Sequence, residues 1–446
     1  MSTNAYYSAR VVLPSGVEAA SVVVEGERIA EIVHGERVPG AVDFANLVLG
    51  PGLVDCHVHI NEPGRTEWEG FETATRAAAA GGVTALVDMP LNSLPVTTTG
   101  AALEAKKAAS LGKCHVDVGF WGGVVPGNQV GLNELAHGGV LGCKAFLVHS
   151  GIDEFPNSTE ADLREAMPIL KKSGLPLLAH AELDLGADVS DPDRRSYRRY
   201  LQSRPPRWED EAIRLLVKLC RETSCAVHIV HLSAASSVPT LRAAKAEGLP
   251  ITVETCPHYL CLDAESIPDG ATYFKCAPPI RDRNNREALW QALFEGVIDF
   301  VITDHSPCAP ELKLPEQGDF EAAWGGIASL QLGLPAIWTE AQARGASFSD
   351  LFRWMSAAPA AFAGLAGKKG RIEPGYDADL LVFGPDEQHR INPDSLFFRH
   401  KVSPYLGRSL QGRVHSTLLR GACVYDAGEQ QGAPVGQHLL HRRTVA

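Results

Sequence analysis

Residues 52–59 read Gly-Leu-Val-Asp-Cys-His-Val-His, and this stretch begins the part of the chain that decides the fold. Leu53 and Val54 give it the apolar character of a buried strand. Because side chains two apart point to the same side of a strand, His57 and His59 share one face. Two imidazoles on one face at a strand end supply half of a metal site. Taken alone, the stretch is equally compatible with a pair of core or surface histidines.

An apolar strand followed by a helical stretch recurs along the chain after this first strand. Thr66-x-x-Glu69 has the pattern of a capping box at the start of the first helix, and Gly81-Gly82 that of its end. Eight such units predict an α/β fold of the (β/α)8 barrel type. A doubly wound sheet is the alternative, but no Gly-x-Gly-x-x-Gly follows a strand to favour it. The predicted strands are Leu53–His59, Thr84–Met89, His115–Trp121, Gly139–Val148, Leu175–His180, Ala226–Leu232, Ile251–Cys256 and Phe300–Asp304.

The two ends of the chain have a different pattern, with short Val-bearing runs separated by turn residues, as in all-β structure. We therefore expect residues 1–50 and 367–446 to pair into one small composite β-sandwich domain. It would lie beside a metal-dependent catalytic barrel of residues 51–366. The predicted strands of the small domain are Arg10–Leu13, Ala20–Glu25, Arg28–Val33, Asn46–Leu49, Gly370–Ile372, Asp379–Phe383 and Ser416–Arg420.

The amino-acid composition limits the classes of molecule that the protein could bind. The formal net charge of −12 argues against nucleic acid and anionic membranes as partners. Ten cysteines without a C-x-x-C pair indicate buried free thiols of an intracellular protein. No basic-then-apolar signal and no long uncharged apolar run is present. We expect a cytoplasmic protein with a small-molecule substrate.

Residues that bind metals recur where the predicted strands end. In such barrels the active site lies at the C-terminal ends of the strands. A lone histidine is more often a core residue, but several potential ligands at one end of a barrel are hard to obtain by accident. All except the lysine are standard ligands for a divalent cation such as zinc. The candidate metal residues are His57, His59, Lys144, His180, His231 and Asp304.

Lys144 is the unusual member of this set, since a cation site would repel an ammonium group. Burial favours the neutral amine, which can add carbon dioxide to become a carbamate. That group is an anionic ligand able to bridge two metals; the alternative is a lysine paired with a carboxylate. Three nearby histidines stay outside the predicted site. His228 has the opposite strand parity from His231 and should face the helices, His305 should point away from Asp304, and His258 is ambiguous.

Together these motifs resemble the cyclic amidohydrolases of the amidohydrolase superfamily, which include dihydroorotases, hydantoinases and allantoinases. The resemblance spans the whole chain and includes Gly-Arg-Ile-Glu-Pro-Gly-Tyr-Asp-Ala-Asp-Leu at 370–380. It implies two divalent ions, with zinc the first choice, and N6-carboxylated Lys144 as the bridging ligand. His57, His59 and Asp304 would hold one ion, and His180 and His231 the other. By analogy we expect a homo-oligomer such as a tetramer.

Two segments distinguish groups within the family. Ile-Asn-Glu-Pro-Gly at 60–64 places Asn61 where dihydroorotases carry an arginine that grips a carboxylate. Asparagine is uncharged and suits a neutral ureide better. Met-Pro-Leu-Asn-Ser at 89–93 and His-Ser-Gly-Ile-Asp-Glu-Phe-Pro at 149–156 resemble the allantoinases. Hydantoinases often carry a tyrosine where this chain has His149.

The resemblance therefore implies hydrolysis of the ring amide of allantoin to allantoate. Asp304 would act as catalytic base and then acid. The implied substrate contacts are Asn61, Asn92, His149 and Ala277. Two alternatives remain. The first is a hydantoinase, dihydropyrimidinase or dihydroorotase that acts on another cyclic amide. The second is a catalytically inactive scaffold relative, which is disfavoured because all six ligand positions carry ligand-type residues.

Overall fold

The computed structural model describes residues 3–441, in which strands and helices alternate through the middle of the chain. The strands are β1 (Thr3–Leu13), β2 (Gly16–Glu25), β3 (Arg28–His34), β4 (Val42–Asp43), β5 (Val48–Pro51), β6 (Leu53–Val58), β7 (Val83–Asp88), β8 (Asp117–Phe120), β9 (Gly122–Gly123), β10 (Cys143–Phe146), β11 (Leu177–His180), β12 (Val227–Ile229), β13 (Ile251–Thr255), β14 (Phe300–Val301), β15 (Leu380–Arg390), β16 (Ser409–Leu419), β17 (Ala422–Asp426), β18 (Glu429–Gln430) and β19 (His438–Leu439).

The helices lie mainly between the strands of the middle part. They are α1 (Phe71–Ala80), α2 (Gly100–Ser110), α3 (Gln129–Gly138), α4 (Glu160–Lys172), α5 (Tyr197–Ser203), α6 (Arg207–Thr223), α7 (Val238–Ala246), α8 (Pro257–Cys261), α9 (Arg283–Phe294), α10 (Gly333–Ala343), α11 (Phe348–Phe352) and α12 (Ala358–Phe362). Within residues 3–441, none of them has both the length and the apolar character needed to cross a bilayer.

The middle strands form a parallel barrel. Strands β6, β7 and β8 pair in that order, and β9 to β14 continue the series. Because β8 and β9 are separated by a single residue, they occupy one position, which gives eight positions in all. A parallel bridge between Val58 and His305 joins the first position to the eighth. The predicted barrel is confirmed, and each of the eight predicted strands overlaps an observed one.

A buried carboxylate fixes this closing contact. Asp55 on β6 accepts hydrogen bonds from the Thr303 backbone N–H, at 3.2 Å, and from the Thr303 hydroxyl, at 2.5 Å. Burial raises the pKa of Asp55 to about 7, although these bonds oppose the rise. The bonds hold the first strand in register with the segment after β14. That register places Asp304 beside His57 and His59.

The first helix of the barrel ends as predicted but starts differently. Helix α1 ends at Ala80, and Gly81 and Gly82 follow, the latter with a φ of 83°. The predicted capping box is wrong, because the cap residue is Gly70, which has no side chain to bond the first turn of the helix. Glu69 is instead fully buried, where its carboxylate accepts bonds from Thr73 and from the Arg399 backbone N–H.

The chain ends share one nine-stranded sheet with the order β18-β17-β16-β15-β5-β1-β2-β3, and β4 pairs with β1. The two ends meet where β15 runs antiparallel to β5, with Leu380 opposite Pro51. A separate apolar core lies against this sheet and includes Val22, Leu49 and Leu418. The β-sandwich-like domain predicted from both ends is therefore observed, while its limits at residues 50 and 367 stay a prediction.

One predicted strand of this domain is wrong. Residues 370–372 form a bend, not a strand. Gly370 has a φ of 88°, and a Cβ there would lie 2.8 Å from the Ser356 carbonyl oxygen. The left-handed backbone takes this segment out of the sheet, and Ile372 packs into the small core from a loop.

A buried ion cluster joins the barrel to the end sheet. Lys369 is fully buried, with its Nζ 2.7 Å from Asp117 of β8, 2.7 Å from Asp379 and 3.0 Å from Asp377. Arg420 also pairs with Asp117. Burial alone would lower the pKa of Lys369, but the three carboxylates raise it above its usual value. The lysine is therefore charged, and it balances carboxylates from both parts of the chain.

We expect Lys369→Met to lower the free energy of unfolding by about 3–5 kcal/mol, because it leaves buried carboxylates with too little positive charge. Urea denaturation followed by circular dichroism measures the change. Lys218→Met removes an exposed lysine that pairs with Glu160 and serves as the matched control. Equal stability of the two variants would show that the cluster does not hold the two parts together.

Candidate metal centre

A cavity of about 530 Å³ opens at the C-terminal ends of the barrel strands. All six residues predicted to bind metal line it, although they come from five different strands or the loops that follow them. Each side chain is buried, so the cluster lies at the floor of the cavity and away from bulk solvent. The six are His57, His59, Lys144, His180, His231 and Asp304.

Three of these residues form the first half of the cluster. Asp304 Oδ1 lies 3.3 Å from His57 Nε2 and 3.5 Å from His59 Nε2. The Nδ1–H of His57 donates to the Glu254 carboxylate, which leaves a lone pair on Nε2. Burial, reinforced by the charge of Lys144, lowers the pKa of His57 well below its usual value. A neutral imidazole lone pair facing a carboxylate is repulsive unless a cation lies between them, so this half fits a metal ion.

His180 and His231 form the second half. His180 Nδ1 lies 3.0 Å from His231 Nε2. The Nε2–H of His180 donates to Glu182 over 2.7 Å, so its Nδ1 carries a lone pair. Burial lowers the pKa of both imidazoles. Two neutral rings with converging nitrogens are the arrangement that a shared cation satisfies.

Lys144 lies between the two halves on β10 and is fully buried. Its Nζ lies 5.0 Å from the centre of the Phe146 ring. Within residues 3–441 it makes no hydrogen bond or ion pair, so the alternative of a lysine paired with a carboxylate does not hold. Burial lowers the pKa of Lys144 to about 8, although the charges of Glu254 and Asp304 oppose this. An amine with this pKa is about one-tenth neutral at pH 7 and about half neutral at pH 8.

Two glutamates that hold the histidines were not predicted. Glu254 on β13 accepts from His57 and from His228, at 2.9 Å, and also from the His231 backbone N–H. Glu182 bonds His180 and pairs with Arg204. Burial alone would raise the pKa of Glu182, but Arg204 and His180 lower it to about 2. One sequence signal was available, since Glu254 lies inside the predicted buried strand Ile251–Cys256, where an acidic side chain requires a partner.

The three histidines left outside the predicted site differ in position. His228 was expected to face the helices, which is wrong, because its Nε2 donates to Glu254. His305 does point away from the cluster, and its Nδ1 accepts from the Ser329 backbone N–H at 3.1 Å. His258 is buried with neither ring nitrogen partnered. One of its nitrogens, Cys256 Sγ and an Asp304 oxygen lie within 4.8 Å of one another.

Left-handed backbone occurs at this site and beside it. His231 has a φ of 39° and Asp304 one of 45°, while Asn61 and Asn92 have values of 67° and 68°. Residues other than glycine adopt this region rarely, and at a cost that the surrounding structure must offset. At His231 and Asp304 the turn redirects the chain immediately after a strand and aims each side chain across the barrel mouth.

The predicted substrate contacts occupy different places. Asn92, His149 and Ala277 line the cavity. Asn92 is buried with its Oδ1 unpartnered, whereas the His149 side chain is exposed at the rim. Asn61 is not among the lining residues; its Nδ2 donates to the Pro307 carbonyl oxygen at 3.2 Å. In this position Asn61 holds the loop that contains Pro307, and its contact with the substrate stays a prediction.

Comparison with known sequences agrees with this site. The model of the amidohydrolase family matches residues 48–424. A Streptomyces avermitilis protein named allantoinase is 50% identical over 428 residues, covering 95% of each chain. The allantoinase of Saccharomyces cerevisiae is 44% identical over 463 residues, covering 99% of this chain and 100% of the yeast protein.

Solved structures of hydantoinases share the fold. The L-hydantoinase of Arthrobacter aurescens superposes with a TM-score of 0.90 at 28% identity, covering 98% of this chain and 99% of that one. The dihydropyrimidinase of Brevibacillus agri gives a TM-score of 0.88 at 27% identity, covering 99% and 100% of the two chains.

We expect Glu254→Gln to weaken the binding of added zinc by about 10- to 100-fold, because the amide no longer fixes the tautomer and orientation of His57. Titration of the demetallated protein against a competing chelator measures the affinity. Glu209→Gln changes an equally buried glutamate that pairs with Arg281, and it serves as the control. Unchanged zinc affinity in Glu254→Gln would contradict the orienting role.

Proposed function

The chain belongs to the amidohydrolase family, and we propose that it hydrolyses the ring amide of allantoin to give allantoate. The convergence of six ligand-type side chains in one cavity carries the proposal, because such a floor is built for metal-assisted hydrolysis. The relatives named allantoinase support this substrate over nearly the full length of the chain. Hydrolysis of a hydantoin or dihydropyrimidine is the second candidate, favoured by the structural likeness to hydantoinases.

His57, His59 and Asp304 would hold one divalent ion, and His180 and His231 a second, with carboxylated Lys144 shared between them. Zinc suits these nitrogen and oxygen ligands. When bound, such ions lower the pKa of water from 15.7 to about 7 and polarise a carbonyl group. Burial lowers the pKa of His57, His180 and His231, which favours the neutral state that binds metal.

Asp304 carries the proton in this proposal. Hydrolysis forms a bond from the water oxygen to the ring carbonyl carbon and breaks the bond from that carbon to the ring nitrogen. Asp304 accepts the proton that the water loses and delivers it to the departing nitrogen. Its carboxylate is held on a left-handed turn, and Ser306 Oγ donates to the Asp304 carbonyl oxygen at 2.8 Å. This turn keeps the carboxylate over the floor of the cavity.

Neutral polar groups suit an uncharged ureide. Asn92 lines the cavity and its Oδ1 has no partner, so this oxygen is the group that would accept an N–H of the substrate. Ala277 also lines the cavity and would offer backbone groups, and His149 lies at the rim. Asn61 stands where a carboxylate-binding arginine would favour dihydroorotate. A homo-oligomeric state remains part of the proposal.

Turnover of allantoin, dihydroorotate and hydantoin should be compared with the zinc-loaded protein. We expect hydrolysis of allantoin with kcat/KM at least about 100-fold above that for the other two, since a polar site strongly rejects analogues that leave its groups unpaired. Asp304→Asn should abolish turnover of allantoin while much of the metal remains bound, which elemental analysis measures. Preference for hydantoin would overturn the substrate, and an active Asp304→Asn would overturn the proton transfer.

Lys144→Ala should lose the metal pair and the activity, because the shared anionic ligand is removed. Short-chain carboxylic acids added to the variant should restore part of both by filling the vacated space. Metal content by elemental analysis, with and without acetate, is the measurement. Lys106→Ala, which removes a buried lysine paired with Asp88, controls for loss of folding. A full metal complement in Lys144→Ala without added acid would contradict the bridge.

A further inference from the structure

The cavity wall carries a lysine that the hydrolysis itself does not use. Lys275 follows α8 along the chain and lines the cavity together with Tyr200 and Arg204. Its Nζ donates to the carbonyl oxygens of Glu321, at 3.0 Å, and Ala323, at 2.6 Å. An ammonium group has three N–H bonds. Two of these N–H groups therefore bond backbone carbonyl oxygens, and the third is left over for another acceptor.

The charge of Lys275 is not matched by a carboxylate. Arg204, the neighbouring cation on the wall, is paired with Glu182. Within residues 3–441 the structure gives Lys275 no ion pair; its remaining close neighbour is the Tyr200 ring, whose centre lies 5.2 Å from Nζ. Burial, reinforced by the charges of Arg204 and Lys313, lowers the pKa of Lys275 to about 8, although the charges of Asp319 and Glu321 oppose this. A half-buried cation without an acidic partner is a site for an oxygen acceptor.

Hydroxyl groups that line the cavity already donate their protons in hydrogen bonds to backbone. Tyr200 donates to the Cys276 carbonyl oxygen at 2.7 Å, and Ser203 donates to the Tyr200 carbonyl oxygen at 2.7 Å. Ser150 donates to the Phe155 carbonyl oxygen at 2.6 Å. These hydroxyls are poor donors to a substrate, whereas Lys275 has a spare charged N–H. Arg204 lines the same cavity, and its Nε and Nη2 donate to Glu182.

We propose that Lys275 binds the ureido arm of the substrate, with its spare N–H donating to the ureido carbonyl oxygen. The inference rests on the proposed function. The reacting ring has to lie against the metal-ligating floor, so the arm occupies the rest of the cavity and reaches the wall. A charge-assisted bond to a neutral carbonyl gives affinity without requiring a negative charge on the substrate. Lys275 is then a specificity-determining residue.

A purely structural role for Lys275 can be distinguished from a role in substrate binding, because a second lysine of the chain makes similar bonds to backbone. Lys313 is buried, and its Nζ donates to the carbonyl oxygens of Trp324 and Gly326. It therefore holds the same loop as Lys275. Lys313 does not line the cavity. Loss of either lysine loosens the loop, but only loss of Lys275 removes a donor that faces the substrate.

Steady-state kinetics of Lys275→Met and Lys313→Met with allantoin test the proposal. We expect Lys275→Met to raise KM by about 10- to 100-fold, the effect of losing a hydrogen bond to a charged group. Lys313→Met should raise KM by less than about threefold, as expected where no substrate contact is lost. Lys275→Gln, which keeps an N–H donor without charge, should lie between wild type and Lys275→Met, and it replaces Lys275→Met if that variant does not fold.

Three outcomes overturn the inference. Equal KM in Lys275→Met and Lys313→Met would assign Lys275 to the loop alone. An unchanged KM with weaker inhibition by allantoate would assign the lysine to the carboxylate of the product. Equal losses with allantoin and with hydantoin, which lacks the arm, would place the contact on the ring. Wild-type protein that does not turn over allantoin would instead overturn the proposed function, and this inference with it.

Discussion

Closure of the barrel between its first and eighth strands is the constraint on which the site depends. The Thr303 groups bound to Asp55 and the bridge from Val58 to His305 set one register between these strands. A shift by one residue would turn His57 and His59 to the other face of the strand. With the observed register, both imidazoles face Asp304, and the first half of the metal centre follows from a backbone contact.

Buried carboxylates extend this control from the backbone to the side chains. Glu254 bonds His57 and His228 and also the backbone of His231, so one side chain orients groups from both halves of the centre. Glu182 does the same for His180 and is itself balanced by Arg204. The carboxylates fix the orientation of these histidines in advance, which reduces the reorganisation that metal binding requires.

The positions of the candidate ligands were predictable because strand parity and the position of active sites in barrels are local rules. Those rules placed His57, His59, His180, His231 and Asp304 correctly at strand ends. These rules failed where the structure depends on contacts between residues that are far apart in the sequence. The sequence could mark Glu254 as a buried acid but could not name its partners, and His228 turns inward to donate to it. The capping box failed because Glu69 bonds a residue more than 300 positions away. The strand at 370–372 failed because Gly370 adopts a left-handed backbone.

The cavity separates chemistry from recognition. Its floor consists of four imidazoles, a carboxylate and Lys144, which makes no ion pair within residues 3–441, and it is suited to hold cations and move a proton. Its wall carries a cation balanced by Glu182 and a second, unbalanced one at Lys275. The loop of residues 321–326 is fixed by Lys275 from inside the cavity and by Lys313 from outside it. Because the hydrogen bonds of Lys275 go to this loop and not to the floor, substitutions at Lys275 can change which cyclic amide is accepted while the metal-binding geometry stays intact. Arg204 differs, since it pairs with Glu182, which bonds His180.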